Sequence, residues 1–384
     1  MAEGLLPEGV QYNPRQLREA LHACDTCPPY PLAGCTKYPV SCMKSSASTD
    51  LASPTDTLTA IAPLTFRRLR LADNTLPSQV LGGRGVGTAP DSLQTPLMAP
   101  EGAFFDAWSS GGELREHQHG CVRYVTDGHW LHGRAVIDES RLGMQASAQR
   151  VYADLFAVLA ENECSHLLRV WNYFADINAE TGGTERYRQF NAGRQQAFIE
   201  AQHSAFDGSP AACALGMHGG PLTVSFLAGR KSPIAIENPR QVSAYRYPDT
   251  YGPRAPTFSR AAVADVGGGR NVLFISGTAS IVGHESIHLG DIRRQTEESL
   301  SNIAAVRGAA ETRTGLAFPA SEMIYTVYVR RAEDMPVVRE VFERSVGADS
   351  SAAREAIYLN ADVCRAELLV EIEAHGFAHT RSPV

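Results

Sequence analysis

From about Ala60 onward, apolar positions recur with regular spacing, and two stretches repeat the same alternation of periods. In SAQRVYADLFAVLAENE (147–163) the apolar residues fall at helical spacing, and HLLRVWNYFADI (166–177) then reads as a strand. A second helix is predicted over YRQFNAGRQQAF (187–198), and ALGMHGGPLTVSFLAG (214–229) closes the stretch with apolar strand text. The order returns downstream: helix over QTEESLSNIAAVRGAAE (295–311), strand over MIYTVYVRRAED (323–334), helix over MPVVREVFERSV (335–346), then AIYLNADVC and LLVEIEAHG. This is the pattern of an internal duplication. Strands and helices in this order predict an α+β fold, with mixed sheets covered by helices on one face. The predicted divisions are a poorly ordered extension over 1–56, an N-terminal α+β domain over 57–229 and a C-terminal domain over 230–384.

Composition narrows the function classes. The chain has 384 residues and a net charge of -7. It carries no Lys/Arg-rich run, which argues against nucleic-acid binding through the phosphate backbone. Lysine occurs only at 37, 44 and 231, so positive charge is nearly all arginine, through carboxylate recognition or through coding bias. No window approaches eighteen consecutive apolar residues, and MAEGLLPEG lacks the basic start and apolar core of a signal peptide, so a cytoplasmic protein without membrane contact is expected. Cys24, Cys27, Cys35 and Cys42 crowd a Pro, Ser and Thr-rich start, where the CxxC spacing admits structural zinc but the composition favours a loosely ordered segment.

Candidate chemistry concentrates near the C-terminus. Glu371 is surrounded by Leu368, Leu369, Val370 and Ile372, and a carboxyl drawn out of water has its pKa raised, so it can act as a general acid near neutrality. Glu373 shares its strand face and is the second choice. Parity alone puts Cys364 and Glu371 on opposite faces of one strand, so Arg365 to Glu367 is expected to be a turn folding two strands together. The loop VSAYRYPDTYGPRAPTFSRA (242–261) interleaves tyrosines and arginines, a composition suited to clamping a flat anionic ring. HESIH (284–288) is a literal HExxH, but strand text and flanking glycines leave no room for the helix that a zinc hydrolase needs. The His117/His119 and His129/His132 pairs read as loop and strand histidines, and no metal is expected.

Residues 274–377, with DIRRQTEESLSNIAAV, YVRRAEDMPVVREVF and LLVEIEAHG in order, resemble the RidA/YjgF family. Taken with YRQFNAGRQQAF, YRYPDTYGPRAPTFSRA, FISGTASIVGHES and VCRAELLVEIE, residues 60–377 resemble the chorismatase family, which cleaves the enolpyruvyl ether of chorismate. The resemblance implies two RidA/YjgF-like units with substrate bound where they meet. It implies Tyr187, Arg194, Tyr247 and Arg260 as substrate-binding residues, Glu371 as the catalytic acid and no cofactor. Gly277 and Cys364 match the two pocket positions of members that aromatise chorismate to 3-hydroxybenzoate, with 4-hydroxybenzoate as an accompanying product, and release pyruvate. Three alternatives stand beside it: a hydrolytic chorismatase releasing a dihydroxycyclohexadiene carboxylate, a RidA-like imine deaminase using an arginine near Arg354, and a small-molecule-binding protein. RidA proteins are trimers, but a duplication buries the same faces within one chain, so a monomer is expected.

Overall fold

The computed structural model describes residues 62–379 except 73, 74, 77, 78, 206 and 253; the expected extension and its four clustered cysteines lie outside the described residues. Three strands, β1 (Thr65–Arg70), β2 (Gly82–Gly87) and β4 (Ala103–Ser109), form a small antiparallel sheet in the order β1-β4-β2, while β3 (Leu97–Ala99) leaves it to join a larger one.

The first large sheet uses β5 (Arg115–His119), β6 (Val122–Thr126), β7 (Trp130–Ile137), β8 (His166–Ala175), β11 (Ala211–Met217) and β12 (Leu222–Gly229), in the order β11-β8-β12-β7-β6-β5. Helix α1 (Gly143–Glu161) follows β7, and α2 (Arg186–Glu200) follows β8 and a short hairpin, β9 (Glu180–Thr181) with β10 (Thr184–Glu185). The second large sheet uses β13 (Ile234–Ile236), β14 (Ala261–Asp265), β15 (Arg270–Thr278), β18 (Ile324–Val329), β19 (Ile357–Asn360) and β20 (Val370–His379), in the order β13-β14-β15-β20-β18-β19-β3. A hairpin of β16 (Ile281–Val282) and β17 (Glu285–Ser286) leads to helix α3 (Ile292–Thr314), and α4 (Met335–Val346) and the short α5 (Ser351–Glu355) lie between β18 and β19.

The two sheets repeat one topology. In each, the central strand of the last hydrogen-bonded trio is the last in sequence: β12 between β7 and β8, and β20 between β15 and β18. In each, a parallel pair is joined through a crossover, β8 with β11 through α2 and β18 with β19 through α4. This is the duplicated α+β architecture that the periodicity predicts, in the two units that the resemblance implies.

Alternation explains the layering. Val370, Ile372 and Ala374 of β20 pack against α3 and α4 with Leu300, Ile303, Val338 and Phe342, whereas Glu371 and Glu373 face the opposite way. Likewise Val170 and Phe174 of β8 pack with α1 and α2, and Arg169 and Tyr173 face away. The helix-free faces of the two sheets meet through Leu168, Leu227, Ala262 and Phe274 at one end and Cys213, Leu215, Tyr328 and Leu359 at the other. Between these apolar ends lies a buried ionic cluster. Arg84 bonds Asp106 and Glu373 at 2.8 and 2.7 Å, Arg68 bonds Asp106 at 2.7 Å, and Arg169 bonds Glu373 at 2.5 Å.

One expectation needs correction. The segment after β19 does turn, with Leu368 N–H donating to the Arg365 carbonyl, but it does not fold two strands together: β18 lies between β19 and β20 and pairs with both. ALGMHGGPLTVSFLAG is strand, as expected, and forms two of them, β11 and β12, with β8 between them.

Candidate active site

Helix α2 delivers the first two site residues. Tyr187 and Arg194 are seven apart, two helical turns, and therefore share a face. The helix presses closely on α1: a Cβ at Gly193 would stand 2.0 Å from the Gln145 carbonyl oxygen, so only glycine admits this packing. Arg194 is 2% exposed, lies over the Phe190 ring at 5.1 Å, and donates from Nη2 to Asn191 Oδ1 at 3.0 Å. Its Nε has no partner among the described residues, and no carboxylate there stands within ion-pair distance. A buried guanidinium so placed has the chemistry to receive an anion.

The tyrosine and arginine loop supplies the opposite wall. Arg260, at the entry to β14, donates from Nη2 to the Val242 carbonyl at 2.8 Å and to Tyr247 Oη at 2.7 Å, stacks over Phe258 at 5.2 Å, and leaves its Nε unpaired among the described residues. Tyr247 also packs beside Tyr251, with ring centroids 5.4 Å apart. These groups surround a cavity of about 480 Å³, lined also by Tyr187, Gly277, Cys364 and Glu371. A smaller recess continues from it, lined by Tyr187, Arg194, Cys213, Gly277, Cys364 and Glu371. The structure thus brings together all seven residues singled out in the sequence.

Glu371 sits where the two spaces join and is 3% exposed. Burial lifts its carboxyl, and the neighbouring charge of Glu373 adds to the shift. Together they outweigh Arg169, the Cys364 thiol and Arg260, leaving the group at about 8, protonated at neutrality. Glu373 is equally buried, but Arg84 and Arg169 overcome the burial and hold it down at about 2. Two carboxyls on one strand face are thereby driven apart, one neutral and one anionic, which makes Glu373 unsuitable as the proton donor.

Gly277 explains how the acid fits. A Cβ at this position would lie 1.8 Å from Glu371 Oε1 and 2.7 Å from its carboxyl carbon, so the carboxyl occupies the space that a side chain on β15 would fill. Cys364 lines the recess beside the same carboxyl, and burial with the Glu371 charge pushes its thiol up to about 12. The thiol stays protonated and is no nucleophile at neutral pH.

Other motifs fall elsewhere. HESIH is no helix: Glu285 lies on the β16/β17 hairpin, His288 has φ 59°, and His284 Nδ1 meets Tyr251 Oη at 3.4 Å. His117 stacks on Tyr124, His119 Nδ1 bonds Glu161 at 2.9 Å, and His132 is buried on β7. Among the described residues, no three His, Cys, Asp or Glu side chains are grouped to hold a metal. Arg354, the anchor expected of an imine deaminase, is exposed, bonds the Asp349 carbonyl and does not line the cavity.

Sequence reasoning missed Arg365. Its guanidinium lies 3.9 Å from the Tyr251 ring centroid and 5.2 Å from that of Tyr247, while Nη1 donates to the His284 carbonyl and Ser286 Oγ at 2.9 and 3.0 Å. It clasps the tyrosine loop and the β16/β17 hairpin over the cavity mouth. Its place beside Cys364 was a signal, but the partners are about 80 and 120 residues away in the chain and leave no local pattern.

Residues 106–228 match the N-terminal family described as chorismatase FkbO/Hyg5-like. A 3-hydroxybenzoate synthase of Streptomyces hygroscopicus is 38% identical over 295 residues, covering 73% of this chain and 84% of the relative. A chorismatase of Streptomyces rapamycinicus is 37% identical over 279 residues, covering 71% and 81%. A chorismatase crystal structure superposes with a TM-score of 0.73 at 31% identity, covering 83% of this chain and 99% of the other. No helix among the described residues is long and apolar enough to cross a membrane.

Proposed function

The chain belongs to the chorismatase family, an enzyme acting on chorismate, and from that premise we propose that it takes the aromatising course with Glu371 as general acid. The products are pyruvate and 3-hydroxybenzoate, with 4-hydroxybenzoate as an accompanying product. The observation that carries this reading is the protonated, buried Glu371 at the junction of a cavity walled by two arginines, each with a buried Nε that has no hydrogen-bond partner among the described residues.

Chorismate is a flat diene with two carboxylates. Arg194 and Arg260 each offer an unpaired Nε–H, and Tyr187 and Tyr247 offer hydroxyls and ring faces, so the substrate's charges fall to opposite walls. Glu371 gives its proton to the enolpyruvyl methylene carbon, leaving a carboxylate and an oxocarbenium-like ether. The ring C–O bond then breaks, its electron pair staying on the oxygen that becomes the pyruvate ketone. In the aromatising course the substrate's own 4-hydroxyl oxygen bonds to the vacated ring carbon as its proton passes to Glu371. Its original C–O bond then breaks with the electron pair staying on the oxygen, the hydrogen on the newly bonded carbon leaves as a proton to aromatise the ring, and a proton returns to the oxygen. Chorismate is thus divided into hydroxybenzoate and pyruvate with no net water consumed. Gly277 and Cys364 support this branch: the glycine lets the carboxyl approach and the neutral thiol fills space at its side that a water would otherwise take. The activity for which the Streptomyces hygroscopicus relative is named, 3-hydroxybenzoate synthase, also supports it.

We further propose a cytoplasmic monomer in which 57–229 and 230–384 are the two domains; the repeated strand order and a cavity completed by one chain support this. Incubation of the purified protein with chorismate, followed by chromatography, tests the function. Pyruvate with hydroxybenzoate is expected, and a dihydroxycyclohexadiene carboxylate as the sole ring product would overturn the aromatising assignment.

A further inference from the structure

We propose that Arg330, which does not line the cavity, is the positioning residue that fixes the Cys364 loop and thereby keeps water from the activated ether. This rests on the aromatising reading of the site. The loop between β19 and β20 holds Cys364 and Arg365, pairs with β11 through an Asp362–Gly216 bridge at its start, and must present the thiol to Glu371. Four of its anchors come from one guanidinium. Arg330, one residue beyond β18, donates from Nε to the Leu368 carbonyl at 2.8 Å, from Nη1 to Asp362 Oδ1 at 2.5 Å, and from Nη2 to the carbonyls of Val363 and Arg365, each at 3.0 Å. The carbonyls it holds flank Cys364 on both sides.

The same Nη2 also reaches Asn178 Oδ1 at 3.0 Å, in the segment after β8 that lines the cavity from the other unit. One planar fork therefore sets the loop's curvature and its distance from the opposite wall together. The far end of the loop is tied separately: Gln295 of α3, fully buried, donates to the Glu367 carbonyl at 3.0 Å and accepts from Leu369 N–H at 2.8 Å. Lysine at 330 would keep the charge but offers a single point of attachment, so it would hold one carbonyl and release the others. The loop would then stay attached at Asp362 and at Glu367 and Leu369 and move between them, around Cys364, where the space beside Glu371 opens to solvent.

The test uses Arg330→Lys in the full chain, with Asp362→Ala as a milder variant that deletes one acceptor. Three quantities are read: the ratio of hydroxybenzoate to dihydroxycyclohexadiene carboxylate, the split between kcat and KM, and the rate at which iodoacetamide alkylates Cys364, located by peptide mass. Arg330→Lys is expected to raise the non-aromatic fraction about tenfold and lower kcat by a similar factor, with KM changed less than about threefold. Cys364 alkylation is expected to accelerate about tenfold as the thiol gains solvent access. A folded Arg330→Lys with wild-type product ratio and kcat overturns the proposal, as does faster alkylation with an unchanged ratio. Should Arg330→Lys fail to fold, Asp362→Ala is read by the same criteria. If the wild type makes only the diol, the aromatising reading fails by itself, and the positioning role is then decided by kcat and Cys364 alkylation, neither of which depends on the product.

Discussion

At the scale of single residues, the site turns on one carboxyl whose proton is retained by burial and by a like charge two positions along the strand. Glu371→Gln removes the transferable proton while keeping the shape, so kcat should fall by about 10²–10⁴-fold with an unchanged melting temperature. An active, folded variant would remove Glu371 from its role. Gly277→Ala acts on the same atom from the other side: the new methyl meets the carboxyl oxygen first, at the end of a side chain that can swing away. Activity should therefore drop about a hundredfold while stability changes little, as thermal melting and pyruvate release together would report. The acid form is present below about 8 and lost above it, so kcat/KM should be level through neutrality and decline on the alkaline side as pH rises through that value. Glu371 itself was legible in the sequence because its apolar neighbours are contiguous. The difference between Glu371 and Glu373 was not, since it is made by Arg84 and Arg169, which lie hundreds of positions upstream on β2 and β8.

At the scale of elements, β20 carries both carboxyls, and its two faces do different work: one packs on α3 and α4, the other crosses the interface between sheets. Glu373→Gln would leave Arg169 buried without its carboxylate partner and should destabilise the fold by about 3–5 kcal/mol, measurable by denaturant unfolding. Because Glu373 has its carboxyl held below the unfolded value of about 4.5, its stabilisation is present above that pH and is lost as pH falls toward about 2. The same substitution removes the charge that helps to keep Glu371 protonated, so the alkaline limb of kcat/KM should move to lower pH. Helix and strand order were legible here, since α1, α2, α3 and α4 each have an apolar stripe or a clear breaker at their ends, such as Gly315 with φ 71° closing α3. Strand neighbours were less so. That β18 separates β19 from β20 follows from a crossover through α4 and α5, and the sequence pattern marks strand existence without marking pairing.

At the scale of the whole molecule, duplication explains why a chain of this kind can hold a closed site by itself. The two units present helix-free faces to each other, and β1, β2 and β4 contribute Phe66, Val86, Phe104 and Trp108 to the apolar clusters between them. The cavity takes Tyr187 from one unit and Gly277, Cys364 and Glu371 from the other. Activity per chain should accordingly be independent of protein concentration, with light scattering reporting a single chain; a loss of specific activity on dilution would require residues from a second copy. The repeat was visible in the sequence because both units alternate the same periods, whereas the cavity, built from side chains of both, was visible only through resemblance.

The central claim is that an enzyme acid, and not the substrate ring, supplies the hydrogen added to the enolpyruvyl methylene. It is tested most directly by turning over chorismate in D₂O, trapping the pyruvate at once as lactate and reading the methyl group by mass spectrometry. Because the Glu371 proton exchanges with solvent, the account predicts one deuterium in each methyl group. A methyl group carrying only protium would mean that the hydrogen came from the ring, and would contradict it.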